Sequence, residues 1–227
     1  MFHSICIVGA GAIGGWIGAR LAAIGCAVSC LARDATLAAL QAQGLRLRET
    51  VEGQTCESVW PVIASDDPAR LAASAGTPDL LVIALKAPAL PQVAPRLAPL
   101  LGPQTTVLTA MNGVPWWFLH GMKGALVGRT LDAVDPGGVI GRTIAADRVI
   151  GGVVHASCSV DAPGVVRHRA GNGLIVGEPS GAQTPRLVAL ADLLQRTGFD
   201  TTVSRQIQAD IWYKLWGNMT VNPACIL

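Results

Sequence analysis

Near the amino terminus a four-residue apolar run, Ile5-Cys6-Ile7-Val8, passes without a break into Gly9-Ala10-Gly11-Ala12-Ile13-Gly14. No other stretch restricts the fold as much. A short, continuous apolar run marks a strand buried on both faces, as in a parallel sheet. After it, Trp16, Ile17, Leu21 and Ile24 recur at helical spacing until Gly25 stops them. A G-x-G-x-x-G set between a strand and a helix has a mechanical meaning that an isolated match lacks. Gly9 allows the tight turn, Gly11 lets the backbone approach a pyrophosphate, and Gly14 lets the helix pack close to the strand, with Gly18 extending that small-residue face. The N–H groups at the helix start then hold phosphate oxygens. The backbone of Gly9, Ala10, Gly11, Ala12, Ile13 and Gly14 is therefore the candidate dinucleotide cradle. The bland alternative is a glycine-rich turn with no ligand.

The rest of the chain repeats the alternation. Strands are expected at Ala27–Ala32, Leu45–Leu47, Val59–Ile63, Leu80–Ala84 and Thr106–Thr109, and helices at Ile13–Ile24 and Asp34–Gln43. Asp34 and Asp66 suit helix caps, and Pro91–Leu100 reads as a proline-interrupted helical stretch. From Gly137 the texture changes to short strands at Val149–Ala156, Val165–His168 and Leu174–Val176, read as additions to the sheet. Helices follow at Pro185–Arg196 and from Ile207 onward. The expected class is α/β, a doubly wound Rossmann-type sheet with added strands.

The second strand ends Leu31-Ala32-Arg33, 24 positions after Gly9. Sites for an unphosphorylated ribose usually carry an acidic residue there, whereas a guanidinium pairs with a 2′-phosphate. Arg33 thus favours NADPH over NADH, unless it is only a solvated surface residue. Asp34, as a cap, is expected to point away.

Composition narrows the class further. Of 227 residues about half are hydrophobic and 14% charged, with a net charge of +2. That is ample for a packed core and offers no basic footprint for nucleic acid. None of the six cysteines forms a C-x-x-C pair, and no His/Cys/Asp/Glu spacing suggests a metal. The longest clean apolar run, Leu80–Leu85, is too short for a membrane span. With a strand starting almost at Met1, the expectation is a cytoplasmic protein without a signal peptide.

Two positions at strand ends and one helix carry candidate chemistry. Lys86 directly follows the apolar run Leu80–Leu85, and Asn112 comes three residues after the strand Thr106–Thr109, both at the carboxyl ends where parallel sheets bind ligands. Asn112-Gly113 also suits a hairpin turn. In Asp210-Ile211-Trp212-Tyr213-Lys214-Leu215-Trp216-Gly217-Asn218-Met219-Thr220-Val221-Asn222-Pro223, the residues Lys214, Asn218 and Asn222 are four apart and share one helix face. A lysine and two asparagines flanked by tryptophans suit a half-buried polar face over a cleft better than a solvated stripe. For ketone reduction, Lys214 is the candidate acid, because burial lowers a lysine's pKa towards a working range. Asn218 and Asn222 are candidates to bind the substrate's hydroxyl and carboxylate. The aromatic cluster Trp116-Trp117-Phe118 either packs beneath the loop or signals a bulky substrate. His155, between Val154 and Ala156, reads as a half-buried structural residue.

Taken together, G-A-G-A-I-G, Arg33, A-L-K-A around Lys86, M-N-G around Asn112, Gly177-Glu178 and W-Y-K-L-W-G-N-M-T-V-N-P resemble the ketopantoate reductase (2-dehydropantoate 2-reductase) family along essentially the whole chain. The resemblance implies NADPH-dependent reduction of a small 2-keto acid, 2-dehydropantoate, to pantoate. The rival readings are a reductase of a bulkier 2-keto acid and a non-catalytic NADPH-binding protein. The resemblance also implies Lys86 and Asn112 at the cofactor and substrate, a backbone contact from Ser157 to the cofactor, Lys214 as proton donor, and Asn218 and Asn222 on the substrate. It implies a cofactor domain, here 1–203, followed by a wholly helical one of which 204–227 is the first helix. The chain thus reads as a member shortened at its carboxyl end, with a homodimer formed through that helical domain.

Overall fold

A computed structural model describes residues 2–51, 53–126 and 128–224. Its elements follow the expected alternation: β1 (Ser4–Val8), α1 (Ala12–Ala23), β2 (Ala27–Leu31), α2 (Asp34–Gln43), β3 (Leu45–Val51), β4 (Gln54–Trp60), β5 (Ile63–Ser65), α3 (Pro68–Ala75) and β6 (Leu80–Ile83). There follow α4 (Leu90–Val93), a 3-10 helix over Ala94–Leu100, β7 (Thr106–Thr109), α5 (Val139–Thr143), β8 (Val149–Ala162), β9 (Val165–Gly177), α6 (Pro185–Arg196), β10 (Asp200–Val203) and α7 (Ile207–Ala224).

The strands form one sheet in the order β4-β3-β9-β8-β7-β6-β1-β2-β5, with β10 also paired to β9. The run from β8 through β7, β6, β1 and β2 to β5 is parallel throughout. Alternation within the central strands feeds two cores. Ile5 and Ile7 of β1, with Leu80 and Val82 of β6, pack on one face with Trp16, Ile17 and Leu21 of α1 and Leu187, Leu190 and Leu194 of α6. Cys6, Val8, Leu81 and Ile83 pack on the other with Leu71, Leu97, Ile140, Ile207 and Ile211. Such strands must be apolar at every position, which is why they were plain in the sequence.

Several boundaries differ from the sequence reading. Val59–Ile63 is two elements, because Pro61 separates β4 from β5. β4 folds back antiparallel on β3, while β5 joins the far edge beside β2. The cap of α3 is Asp67, whose carboxylate accepts from the N–H groups of Ala69 (2.8 Å) and Arg70 (3.4 Å), and not Asp66. Pro68 at the first helical position fixes that start. The three short strands expected after Gly137 are one long antiparallel hairpin, β8 and β9, turning through Gly164 at φ +72°. The outer half of β8 and the middle of β9 are largely exposed, so no continuous apolar run announced them, whereas Val165 and Val166 at the start of β9 are buried. Near this outer half Arg48 of β3 pairs with Glu57 of β4 (2.5 Å) and Asp161 of β8 (3.2 Å).

Glu178, just after β9, is buried, with its side chain 4% exposed. Its carboxylate accepts from Thr184 Oγ1 (2.5 Å), Arg186 Nε (2.8 Å) and Arg186 Nη2 (2.6 Å), tying the start of α6 to the sheet. Among the described residues no helix is long and apolar enough to cross a membrane.

Candidate active site

The glycine turn has the geometry a bound pyrophosphate requires. Gly9 stands at φ +94°, and a Cβ there would lie 2.7 Å from Leu85 Cδ2 and 3.1 Å from the Ala84 carbonyl. A Cβ on Gly14 would fall 2.1 Å from the Gly9 oxygen, so the helix sits against its own turn. At Gly11 a Cβ would meet nothing within 4 Å: this position faces open space over the sheet. No side chain caps α1 and no acidic residue lies in its first turn, which leaves the positive end of the helix available to an anion.

Two cavities meet over this turn, sharing Gly11 and Leu85. One, of about 310 Å³, is bounded by Gly9, Ala10, Leu31, Arg33, Thr36, Asp66, Gln92 and Arg96. The other, of about 430 Å³, is bounded by Ala12, Ile13, Lys86, Met111, Asn112, Val154, Ala156 and Lys214. A smaller recess joins Asn112, Lys214 and Asn218. The result is a groove across the carboxyl ends of β1, β2, β6 and β7, divided at the glycine turn into two compartments, as a dinucleotide requires.

Lys214 reaches the groove from α7. Its Nζ donates to the main-chain carbonyl of Val154 on β8. Burial holds its pKa below the usual lysine value. His155, the next residue on β8, is exposed, not half-buried as its apolar neighbours suggested. Partial desolvation of its ring lowers its pKa, the charge of Lys214 adds to that effect, and Asp210 opposes it. Ser204 Oγ donates to Asp210 and accepts from the Gln206 N–H, fixing the first turn of α7.

Most sequence-derived candidates converge here: Gly9 to Ile13, Arg33, Lys86, Asn112, Lys214 and Asn218 line the groove or its recess, while Gly14 packs beneath the turn. Ser157 is exposed on β8, one residue past Ala156, the last β8 residue lining the groove. The side chain of Asn222 lies outside the described residues, as does Cys225. Asp34 does not cap α2, which has no side-chain cap; its Oδ2 lies 3.6 Å from Arg33 Nε. Trp116 and Trp117 are buried: Trp116 Nε1 donates to the Ile144 carbonyl (3.1 Å), and Trp117 lies against Gly151 and Ile207. They pack beneath the loop after β7 and also border a separate cavity of about 780 Å³ that shares no residue with the groove. Thr36, Gln92, Arg96 and the Val154 carbonyl were not anticipated. Gln92 and Arg96 had a signal, two polar residues four apart in a proline-rich apolar stretch. A backbone carbonyl has none.

Residues 5–181 match the family model for ketopantoate reductase, PanE/ApbA. The chain belongs to the ketopantoate reductase family. A 2-dehydropantoate 2-reductase of Mesorhizobium japonicum is 47% identical over 224 residues, covering 98% of this chain and 66% of its own length. A crystal structure from Ralstonia solanacearum MolK2, bearing the ketopantoate reductase name, superposes with a TM-score of 0.90 at 51% identity, over 99% of this chain and 67% of that one. The 2-dehydropantoate 2-reductase of Geobacter metallireducens gives 0.77 at 26% identity, over 98% and 64%. This ketopantoate reductase family chain thus spans about two thirds of the length of these relatives.

Proposed function

We propose that this chain supplies the cofactor groove and the proton donor of an NADPH-dependent 2-dehydropantoate 2-reductase. The observation that carries this reading is the convergence of Lys214, Asn112 and Asn218 on the compartment away from Arg33. When bound, NADPH supplies a hydride. The N–H groups from Gly9 to Gly14 bind the pyrophosphate, Arg33 binds the 2′-phosphate, and Lys86 and Asn112 flank the nicotinamide end, with the backbone at Ser157 beside it. Lys214 would give a proton from Nζ to the oxygen of the ketone being reduced. Its lowered pKa makes the proton easier to release. Asn218 and Asn222 hold the hydroxyl and carboxylate of the 2-keto acid. Burial of Trp116 and Trp117 removes the reason to expect a bulkier substrate. We assign 1–203 to the cofactor domain and 204–227 to the first helix of a helical one, a division supported by the end of β10 at Val203.

Titration with NADPH and NADH, and NADPH oxidation with and without 2-dehydropantoate, test the reading. Tighter binding of NADPH and substrate-dependent oxidation are expected. A protein that binds neither dinucleotide overturns it.

A further inference from the structure

At the end of β2 two opposite charges stand side by side. Arg33 Nε lies 3.6 Å from Asp34 Oδ2, with the side chains 88% and 84% exposed. Asp34 lies in the first turn of α2, where a carboxylate suits the helix dipole, but no side chain caps this helix. Asp34 adopts φ 53°, and it is the one non-glycine residue with positive φ among those described. Asn and Asp are the side chains that tolerate this backbone, so the position does not demand a charge. The carboxylate faces the guanidinium that bounds the compartment with Thr36 and Arg96. Arg96 is already partly engaged, its Nη2 donating to the Asp66 carbonyl at 2.9 Å.

We infer that Asp34 is a specificity-determining residue, a counter-charge that competes with the cofactor's 2′-phosphate for Arg33. This rests on the NADPH reading above. A 2′-phosphate carries close to two negative charges and must share Arg33 with Asp34 while being repelled by it. A 2′-hydroxyl meets neither cost and finds in the carboxylate an acceptor. Asp34 therefore narrows the gap between phosphorylated and unphosphorylated dinucleotides.

The test uses 2′,5′-ADP and 5′-AMP, which differ only in the 2′-phosphate, measured by calorimetry on the parent, Asp34→Asn, Arg33→Gln and the double variant. Asn keeps the left-handed backbone and removes the charge. Asp34→Asn is expected to tighten 2′,5′-ADP about 3–5-fold, the scale of one exposed ion pair. Binding of 5′-AMP should change less than about 2-fold, the gain should shrink in high salt, and it should vanish in the Arg33→Gln background. Unchanged 2′,5′-ADP binding, equal tightening of both probes, or a gain that survives Arg33→Gln overturns the inference. If the parent binds neither probe, the cofactor reading itself fails.

Discussion

A side chain added at Gly14 would bring its Cβ to 2.1 Å from the carbonyl oxygen of Gly9, with Ala84 Cβ at 2.9 Å and Ile7 Cγ2 at 3.0 Å. These atoms are mostly backbone and core, so nothing flexible can yield. Gly14→Ala is expected to cost about 1–3 kcal/mol of stability as overpacking and to weaken dinucleotide binding by moving α1. Gly11→Ala should behave differently, because its Cβ meets no protein atom within 4 Å. It should melt like the parent yet lose at least about 10-fold in dinucleotide affinity. Melting curves and cofactor titrations on both variants check the contrast, and equal melting losses would contradict it.

Glu178 is the family's G-E position, and its carboxylate is spent on structure. Removing it strands part of Arg186, which also reaches the Val149 carbonyl (3.5 Å), and leaves Thr184 Oγ1 without its acceptor. Glu178→Ala is expected to destabilise by about 3 kcal/mol, at the lower end for a broken buried pair because Arg186 keeps some solvent contact. The double change Glu178→Gln with Arg186→Met should recover part of that loss. Chemical denaturation measures both, and a single variant within about 0.5 kcal/mol of the parent would show that the pair is dispensable.

Replacing Lys214 by Ala is expected to lower kcat by about 10²–10⁴-fold, the range for general-acid catalysis, with NADPH affinity changed by no more than about 3-fold. Near-normal turnover would mean that the lysine only fastens α7 to the Val154 carbonyl.

The depressed pKa of Lys214 also sets two pH trends. The donor must be charged, so kcat should fall as pH rises through a value below 10.5, the usual lysine value. Stability runs the other way. Between the folded pKa and 10.5 the unfolded chain binds this proton more readily than the folded one, so the folded state gains as pH climbs through that window and loses as pH falls. Lys214→Met should flatten the part of the Tm–pH curve that this group contributes, in the window that ends at 10.5. An unchanged slope would place the amine in an environment no different from water.

Much of the fold was legible because the central strands face apolar layers on both sides. β1, β6 and β7 could be read within a residue, as could α1 and α6. The strand β4, the outer half of β8 and the middle of β9 were not, because they are largely exposed and carry no continuous apolar signature. The cap of α3 was misjudged by one residue, since Asp66 and Asp67 are chemically alike and only the backbone decides between them. In the site, the glycine turn was readable from local mechanics. The meeting of Lys214 with Val154, 60 residues apart, is a tertiary event: the polar stripe on α7 pointed to a cleft, but not to the strand that α7 would face. The Trp116-Trp117 pair shows the reverse limit, since an aromatic cluster beside a site residue looks the same whether it lines a cleft or a core.

β4 lies at one end of the sheet order and β5, only three residues long, at the other. A seven-residue border strand with unpaired amides is a template for neighbouring molecules. In Gln54-Thr-Cys-Glu-Ser-Val-Trp60 the single charge is Glu57, held at mid-strand by Arg48 (2.5 Å) and Arg46 (4.0 Å). Without it the strand would be an uncharged, β-prone segment of the kind that stacks into fibrils. Glu57 thus bears on colloidal behaviour as much as on the ion pairs it makes. At high protein concentration, Glu57→Val should send the molecule into edge-to-edge assemblies, visible by light scattering, well before its dinucleotide groove is disturbed.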